Sequence, residues 1–130
     1  MLWRMADKPK PGTIGWTDLT VPDAEAIRDF YTRVTGWKVQ PVSMGEYSDY
    51  AMVASDGNGV AGICHARGNN ADIPPHWLIY IIVEDVHAAA AECVAFGGSI
   101  VSGPREAGGG TFCVIRDPAG AVCALFAPPA

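Results

Sequence analysis

Basic residues and long apolar runs are both scarce in this sequence. Lys and Arg together number nine in 130 residues, and the formal net charge is −5. These few, scattered cations make no basic patch for a phosphate backbone or an anionic membrane surface, so we expect neither nucleic acid nor membranes as partners. No apolar run approaches the roughly 20 residues that cross a bilayer, and the N-terminal residues lack the apolar segment of a secretion signal.

The placement of the cysteines fits no disulfide framework. None of the four cysteines belongs to a C-x-x-C pair, and all lie in apolar stretches, at Cys64, Cys93, Cys113 and Cys123. We therefore predict reduced packing residues and a cytoplasmic protein. Charged residues make up only 18% of the chain against 49% for hydrophobic ones, a composition that excludes intrinsic disorder.

The chain falls into two similar halves. Four residues recur 61 positions apart, as Trp16 and Trp77, Gly36 and Gly97, Asp56 and Asp117, and Gly59 and Gly120. Repetition at a fixed period is typical of duplicated structural units. We predict a single domain over residues 13–130 with modules at 13–66 and 77–127, a linker at 67–76 and a flexible N-terminal arm at 1–12.

Each half predicts one strand, one helix and three further strands. In the first half an amphipathic helix is indicated by apolar residues at i, i+3, i+4 and i+7, namely Ile27, Phe30, Tyr31 and Val34. Asp23 and Gly36 suit its caps, and Asp85 and Gly97 repeat them in the second half. The predicted strands are 13–21, 37–42, 48–55 and 59–66, then 77–83, 99–102, 110–116 and 121–127.

This order of elements predicts an α+β fold of two βαβββ modules. One helix covers only one face of a four-stranded sheet, so the other face must pack on a partner, stay polar or enclose a ligand. We expect the mixed sheets to form a cup, with one helix per module on its outer face. Concave, mostly apolar surfaces of this kind bind small molecules.

Four motifs then resemble the vicinal oxygen chelate superfamily of glyoxalases, bleomycin-resistance proteins and extradiol dioxygenases. They are Trp16-x-x-Leu19-x-Val21-x-Asp23, Phe30-Tyr31, Thr35-Gly36-Trp37 and Arg116-Asp117-Pro118-x-Gly120. The resemblance covers residues 13–127. It implies paired βαβββ modules, commonly in a homodimer, around a cup that holds a divalent metal in the catalytic members.

The metal ligands of that family have no counterpart here. Carried over by position, the ligand sites fall on Trp16, Ile63, Leu78 and Ala124, although the 61-residue repeat would place Trp77 where the motif places Leu78. Divalent metals need His, Asp, Glu or Cys donors that converge on one point. We therefore predict no metal at the standard site and no other cofactor.

Period-two alternation predicts which side chains share a face with those positions. They are Asp18 and Thr20 with Trp16, Ala61 and His65 with Ile63, Tyr80 and Ile82 with Leu78, and Val122 and Phe126 with Ala124. Such a lining is aromatic with a few polar groups. We predict a flat or partly apolar ligand bound by Trp16, Tyr50, Ile63, Leu78, Tyr80, Ala124 and Phe126.

His65 and Asp18 are the candidate catalytic residues. An imidazole in an apolar cup can exchange protons near neutral pH, and a carboxylate in mid-strand is unusual. Each has an ordinary alternative: a histidine near a strand end that hydrogen-bonds water or a carbonyl, and an aspartate on a solvated sheet edge. Cys64 alternates to the opposite face from His65, and we expect it in the core.

Two functions fit about equally. One is an enzyme of the superfamily, a lyase, isomerase or oxygenase-like protein, acting on a small carbonyl, polyketide-like or aromatic metabolite without the standard metal. The other is a bleomycin-resistance-type protein that sequesters a planar compound without catalysis. A third alternative is a metalloenzyme with displaced ligands at Glu46, His65 and His76.

A homodimer is expected with any of these functions. Two small modules leave sheet edges and apolar area for a second copy to cover. A monomer at micromolar concentration in sedimentation would contradict this expectation.

Overall fold

The computed structural model describes residues 9–129, in which the βαβββ order occurs twice. The first module contains β1 (Ile14–Val21), α1 (Ala24–Thr35), β2 (Lys38–Ser43), β3 (Ser48–Val53) and β4 (Gly59–His65). The second contains β5 (Trp77–Ile82), α2 (Val86–Ala95), β6 (Ser99–Ala107), β7 (Gly110–Arg116) and β8 (Val122–Ala127), and a 3-10 turn at Gly68–Asn70 precedes it. The predicted α+β fold with two modules is confirmed; the shared cup stays a prediction.

Both modules pair their strands in the same way. The strand order is β2-β3-β4-β1 in the first and β6-β7-β8-β5 in the second. Neighbours are antiparallel except for the last pair in each order, β4 with β1 and β8 with β5, which is parallel. Mixed pairing of this kind requires a crossover between the first strand and the strands that follow, and the helix supplies part of it.

Three of the four predicted caps are confirmed, but the C-cap of α2 is Phe96 and not Gly97, which follows it. Asp23 accepts a hydrogen bond from the Ala26 N–H (3.4 Å), and Asp85 accepts one from the Ala88 N–H (3.0 Å). Gly36 ends α1 in the left-handed region at φ +80, which glycine adopts without strain. Within residues 9–129, neither helix combines the length and the apolar character that are needed to cross a bilayer.

The predicted N-terminal arm ends in paired backbone. Its residues 1–8 lie outside the described residues. The Gly12 N–H donates to the Ile82 carbonyl (2.7 Å), and the Ile82 N–H donates to the Thr13 carbonyl (2.8 Å). Residues 9–16 therefore form one compact unit with residues 78–129, and residues 17–77 form the other.

The two modules match at a separation of 62 positions in their first and last strands. Asp18 pairs with Gly62, as Tyr80 pairs with Ala124. Leu78 is therefore the counterpart of Trp16, which answers the question of register that the sequence left open. The separation falls to 61 at the left-handed glycines that follow the helices, because the second module has one residue fewer between its N-cap aspartate and that glycine.

The same register corrects the predicted face of Ile63. Leu19 lies opposite Ile63, and both belong to the core that packs on Ala24 of α1. Ile63 is fully buried in that core, so it does not share a face with Asp18. Alternation places Ala61 and His65 with Ile63, while Gly62 and Cys64 share the face of Asp18. The prediction counted one residue too far along β4.

Strand β6 is longer than predicted. The expected strand was 99–102, but β6 runs to Ala107 through Gly103 and Pro104, which together look like a strand terminator in sequence. Proline is tolerated because β6 is an edge strand, and shifts of register on that strand absorb the irregularity. This extension brings Arg105 opposite Phe112 of β7.

Candidate functional site

The second module has a buried surface that is largely aromatic. Its register sets Tyr80 opposite Ala124 and Phe112 opposite Phe126. The reverse side of the same strands packs on α2 through Cys113. We call the first surface the aromatic face; it consists of Leu78, Tyr80, Phe112, Ala124 and Phe126, each less than 5% exposed. Four of these five were predicted to share a face, and Phe112 was not singled out.

Phe112 contacts both a second ring and a cation. The rings of Tyr80 and Phe112 are stacked, with centroids 6.1 Å apart and planes inclined by 11°. The guanidinium carbon of Arg105 lies 4.5 Å from the Phe112 centroid, over the ring. An Arg105 N–H also donates to the Ser102 hydroxyl oxygen. Burial lowers the pKa of Arg105, because desolvation disfavours its charged form.

The corresponding face of the first module carries polar side chains. Asp18 is 2% exposed and Thr20 is 5% exposed, and Cys64 lies opposite Thr20. Burial raises the pKa of the Cys64 thiol well above its ordinary value, and the negative charge of Asp18 raises it further. A thiol that stays protonated is a weak nucleophile, so Cys64 is suited to packing.

His65 lies between two carboxylates at the end of β4. Its Nδ1 is 3.1 Å from Asp49 Oδ1, and its Nε2 is 2.6 Å from Oε2 of Glu25 in the first turn of α1. Its backbone N–H donates to the same Asp49 oxygen (2.9 Å). Both ring nitrogens therefore lie within hydrogen-bond distance of a carboxylate oxygen. We call Glu25, Asp49 and His65 the His65 cluster. Its contacts connect α1, β3 and β4.

The cluster bears on the catalytic role expected of His65. While both contacts are in place, neither ring nitrogen is available to a substrate. The register also sets His65 opposite Val21, a residue of the core under α1, whereas Asp18 faces the other side. The structure therefore places the two candidate catalytic residues on opposite faces and favours a structural role for His65.

Tyr50 also packs on the helix side, not on the face of Asp18. It is 7% exposed in the core under α1, and its hydroxyl donates to Glu25 Oε2 (3.3 Å). The Arg28 guanidinium lies 4.6 Å from the centroid of its ring. Burial raises the pKa of Tyr50, as does the nearby charge of Glu25. Tyr50 thus adjoins the His65 cluster.

The Glu25 contact predicts a loss of stability in acid. The hydrogen bond with His65 lowers the pKa of Glu25 below its ordinary 4.5, although the Glu25 side chain is 55% exposed. A carboxylate with a lowered pKa stabilises the fold above its ordinary value, and this contribution is lost as pH falls through the lowered value. We expect the wild-type protein to lose stability more steeply than Glu25→Gln from about pH 5 to about pH 3.

Urea midpoints followed by circular dichroism across that range measure the effect. Glu46→Gln is the matched control, since Glu46 is exposed and forms no ion pair within the described part of the chain. This control should follow the wild-type curve. Parallel acid limbs for wild type and Glu25→Gln would contradict the prediction.

Comparison with known proteins assigns the family. The sequence profile of the Glyoxalase/Bleomycin resistance protein/Dioxygenase superfamily matches residues 13–125. The chain belongs to this superfamily. It is 32% identical over 129 residues to the "Anthracycline biosynthesis protein DnrV" of Streptomyces peucetius, an alignment that covers 89% of this chain and 47% of that protein. The chain thus spans about half the length of the curated relatives it matches.

Solved structures with this fold include methylmalonyl-CoA epimerases. A variant of the Streptomyces coelicolor enzyme, in complex with 2-nitronate-propionyl-CoA, is 18% identical, with a TM-score of 0.56 over 93% of this chain and 100% of that one. The Mycobacterium tuberculosis enzyme is 14% identical, with a TM-score of 0.55 over 88% of this chain and 86% of that one. At these identities the likeness shows the fold alone.

The metal of the catalytic superfamily members does not fit this chain. With the observed register, the superfamily's metal-ligand positions fall on four residues: Trp16, Gly62, Leu78 and Ala124. An indole, an absent side chain and two alkyl groups supply no metal donor. Trp77 offers none either, since its indole N–H donates to Tyr31 Oη (3.0 Å) within the compact unit of residues 17–77.

The alternative metal site with displaced ligands is not assembled either. Glu46 and His76 are exposed, while His65 is held by Glu25 and Asp49. Residues 9–129 contain no group of three His, Cys, Asp or Glu side chains arranged to hold a metal. This finding overturns the metalloenzyme alternative with those three ligands.

Proposed function

We propose that this chain binds a flat aromatic or polyketide-like small molecule against the aromatic face of its second module. Aromatic side chains favour flat apolar partners in defined relative orientations. One similar protein is named for anthracycline biosynthesis, and anthracyclines are flat polycyclic polyketides. The predicted contacts at Leu78, Tyr80, Ala124 and Phe126 belong to this proposal, and Phe112 joins them.

The observation that supports it most is the half-buried guanidinium of Arg105 over the ring of Phe112. Ordinary hydrophobic cores rarely include arginine, because removing its charge from water costs energy. Ligand pockets, in contrast, combine apolar walls with a few polar groups that orient the ligand. The competing interpretation is that the aromatic face is core and nothing more, so the proposal needs a test by binding.

Anthraquinone-2-carboxamide, a flat and uncharged compound, is a suitable probe. We expect it to raise the melting temperature of the protein and to bind in calorimetry, because a ligand of the native state stabilises it by mass action. Phe112→Leu keeps an apolar side chain of similar volume but removes the stacking surface, and should weaken binding about threefold to tenfold.

Phe30→Leu is the matched control for this experiment. Phe30 lies on α1 of the first module and is 54% exposed, so the same chemical change there should leave affinity unaltered. Equal affinities for wild type and Phe112→Leu would assign the probe to another surface. An absence of binding to the wild-type protein would refute the proposal.

For chemistry beyond binding, we propose Asp18 as the group that handles protons. Its carboxylate is buried in mid-strand, and the chain offers no donors at the superfamily's metal positions. The second candidate function is sequestration without catalysis, which the occupied ring nitrogens of His65 favour. Nuclear magnetic resonance of a bound compound separates the two. If the wild-type protein converts the bound compound and Asp18→Asn does not, the result supports the enzyme function. If the wild-type protein leaves the compound unchanged, the result supports sequestration.

A further inference from the structure

The end of β5 borders a cavity that belongs to neither the aromatic face nor the His65 cluster. Its volume is about 410 Å³, within the range of small-molecule sites. All of its described lining residues belong to the compact unit of residues 9–16 and 78–129. We call it the proline cavity; it is lined by Pro9, Lys10, Pro11, Ile82, Val83, Glu84 and Pro128.

Backbone hydrogen bonds hold the proline-rich wall of this cavity in place. The Gly12 N–H donates to the Ile82 carbonyl (2.7 Å), and the Thr13 hydroxyl donates to the Lys10 carbonyl (2.6 Å). The stretch 9–11 therefore leads into a turn that is fixed to the end of β5. A wall that is already ordered loses little conformational entropy when a ligand binds.

The wall offers apolar surface that a ligand can reach. Pro9, Val83 and Pro128 are half-buried and Pro11 is exposed, so none of the four is sealed inside the fold. Three of them are prolines, whose rings are rigid and whose nitrogen carries no hydrogen to donate. An apolar group can therefore contact these rings without leaving a backbone donor of the prolines unpaired.

Two charges of opposite sign lie at the cavity, on Lys10 and Glu84. Both residues are exposed, and they come from different segments of the wall. Within residues 9–129, neither side chain forms a hydrogen bond or an ion pair, with the other or with a third residue. An ammonium group and a carboxylate are therefore available to a ligand.

A molecule that carries both charges fits this arrangement best. A ligand with one charge gains one attraction and one repulsion at Lys10 and Glu84, whereas a zwitterion gains two attractions. We infer that the proline cavity binds a small zwitterion with an apolar body, of the class of α-amino acids with a large apolar side chain. The carboxylate of this ligand lies towards Lys10, its ammonium group towards Glu84, and its side chain against the prolines. This site goes beyond the proposed function, because it shares no residue with the aromatic face.

Three probes with the same phenyl group test the inference. L-Phenylalanine carries both charges at neutral pH, phenethylamine lacks the carboxylate, and 3-phenylpropionate lacks the ammonium group. Binding at low salt is measured from the backbone amide signals of Gly12, Val83 and Glu84 in nuclear magnetic resonance titrations. We expect phenylalanine to bind with a dissociation constant of about 1 mM, at least about threefold more tightly than either other probe, because each exposed charge pair contributes only a small factor.

Substitutions at the two charges assign the preference. Lys10→Gln should abolish the advantage of phenylalanine over phenethylamine, and Glu84→Gln its advantage over 3-phenylpropionate. Lys10→Glu combined with Glu84→Lys exchanges the charges and should restore part of both advantages. Lys38→Gln and Glu46→Gln are the matched controls, since both residues are exposed in the first module, and they should behave as wild type. Circular dichroism verifies that each variant folds.

The outcomes separate the cavity, its ligand and the proposed function. An absence of phenylalanine-dependent shifts up to about 10 mM would overturn the site, as would shifts confined to Tyr80 and Phe112. Equal affinity for the three probes would overturn the zwitterion, and a preference that persists in both single-charge variants would overturn the roles of Lys10 and Glu84. The proposed function is tested separately, by anthraquinone-2-carboxamide, and it stands or falls independently of these results.

Discussion

Alanine in place of Gly110 should lower the free energy of unfolding by about 2–3 kcal/mol. Gly110 is buried at the start of β7, and a Cβ there would collide with the backbone oxygen of Ala127 and approach Phe126 Cζ to 2.6 Å. Neither neighbour can move without a large cost in free energy, since one is backbone of β8 and the other is a ring with no exposed surface. The added methyl group must therefore move β7 and β8 apart or displace the Phe126 ring.

Urea denaturation measures this loss, with Gly109→Ala as its control. Gly109 has φ +82 but open surroundings, with Pro129 at 3.8 Å as the nearest contact of an added Cβ. Its substitution should cost about 1 kcal/mol through backbone strain alone. Equal costs at the two glycines would show that the strands accommodate the methyl group. Because Phe126 belongs to the aromatic face, Gly110→Ala should also weaken binding of anthraquinone-2-carboxamide.

Asp49→Ala should cost about 2–4 kcal/mol of stability. Asp49 is 4% exposed and accepts from the His65 backbone N–H, and the same oxygen lies 3.1 Å from the His65 ring. Removal of the carboxylate leaves a buried donor without its acceptor, which is more damaging than replacing both partners by apolar groups. The link between β3 and β4 at this end of the sheet is lost as well.

Asp49→Asn is the informative comparison for this prediction. An amide oxygen can still accept from the His65 backbone N–H but carries no charge, so about half of the stability should return. Denaturant midpoints at neutral pH check both variants. Equal destabilisation by Asn and Ala would mean that charge, not the backbone hydrogen bond, dominates. No loss in Asp49→Ala would contradict the structural role of the His65 cluster.

The period-two and helical patterns of the sequence were sufficient for the fold. Local signals placed Asp23 and Asp85 at helix starts and Gly36 after the first helix, and each is confirmed by its hydrogen bonds or backbone angle. These signals depend on a residue and its near neighbours in sequence, so a single chain contains them. The Gly103-Pro104 pair misled the strand prediction, because an edge position tolerates proline and sequence alone does not identify an edge.

The candidate site was predicted less completely. Alternation placed Tyr80 and Phe126 on one face, and the same rule applied to strand 110–116 would have found Phe112. It failed for Ile63, because one position of register between strands that are distant in sequence exchanges the two faces. Arg105 could not be found, since it lay beyond the predicted end of its strand.

The sequence by itself determined the family and the duplicated βαβββ order, because each depends on residue identity and spacing along the chain. Only the tertiary structure decided that His65 binds Glu25 and Asp49, and that Arg105 lies over Phe112. These contacts join residues from different elements, and their existence depends on strand register and side-chain direction, which close packing of the whole fold sets.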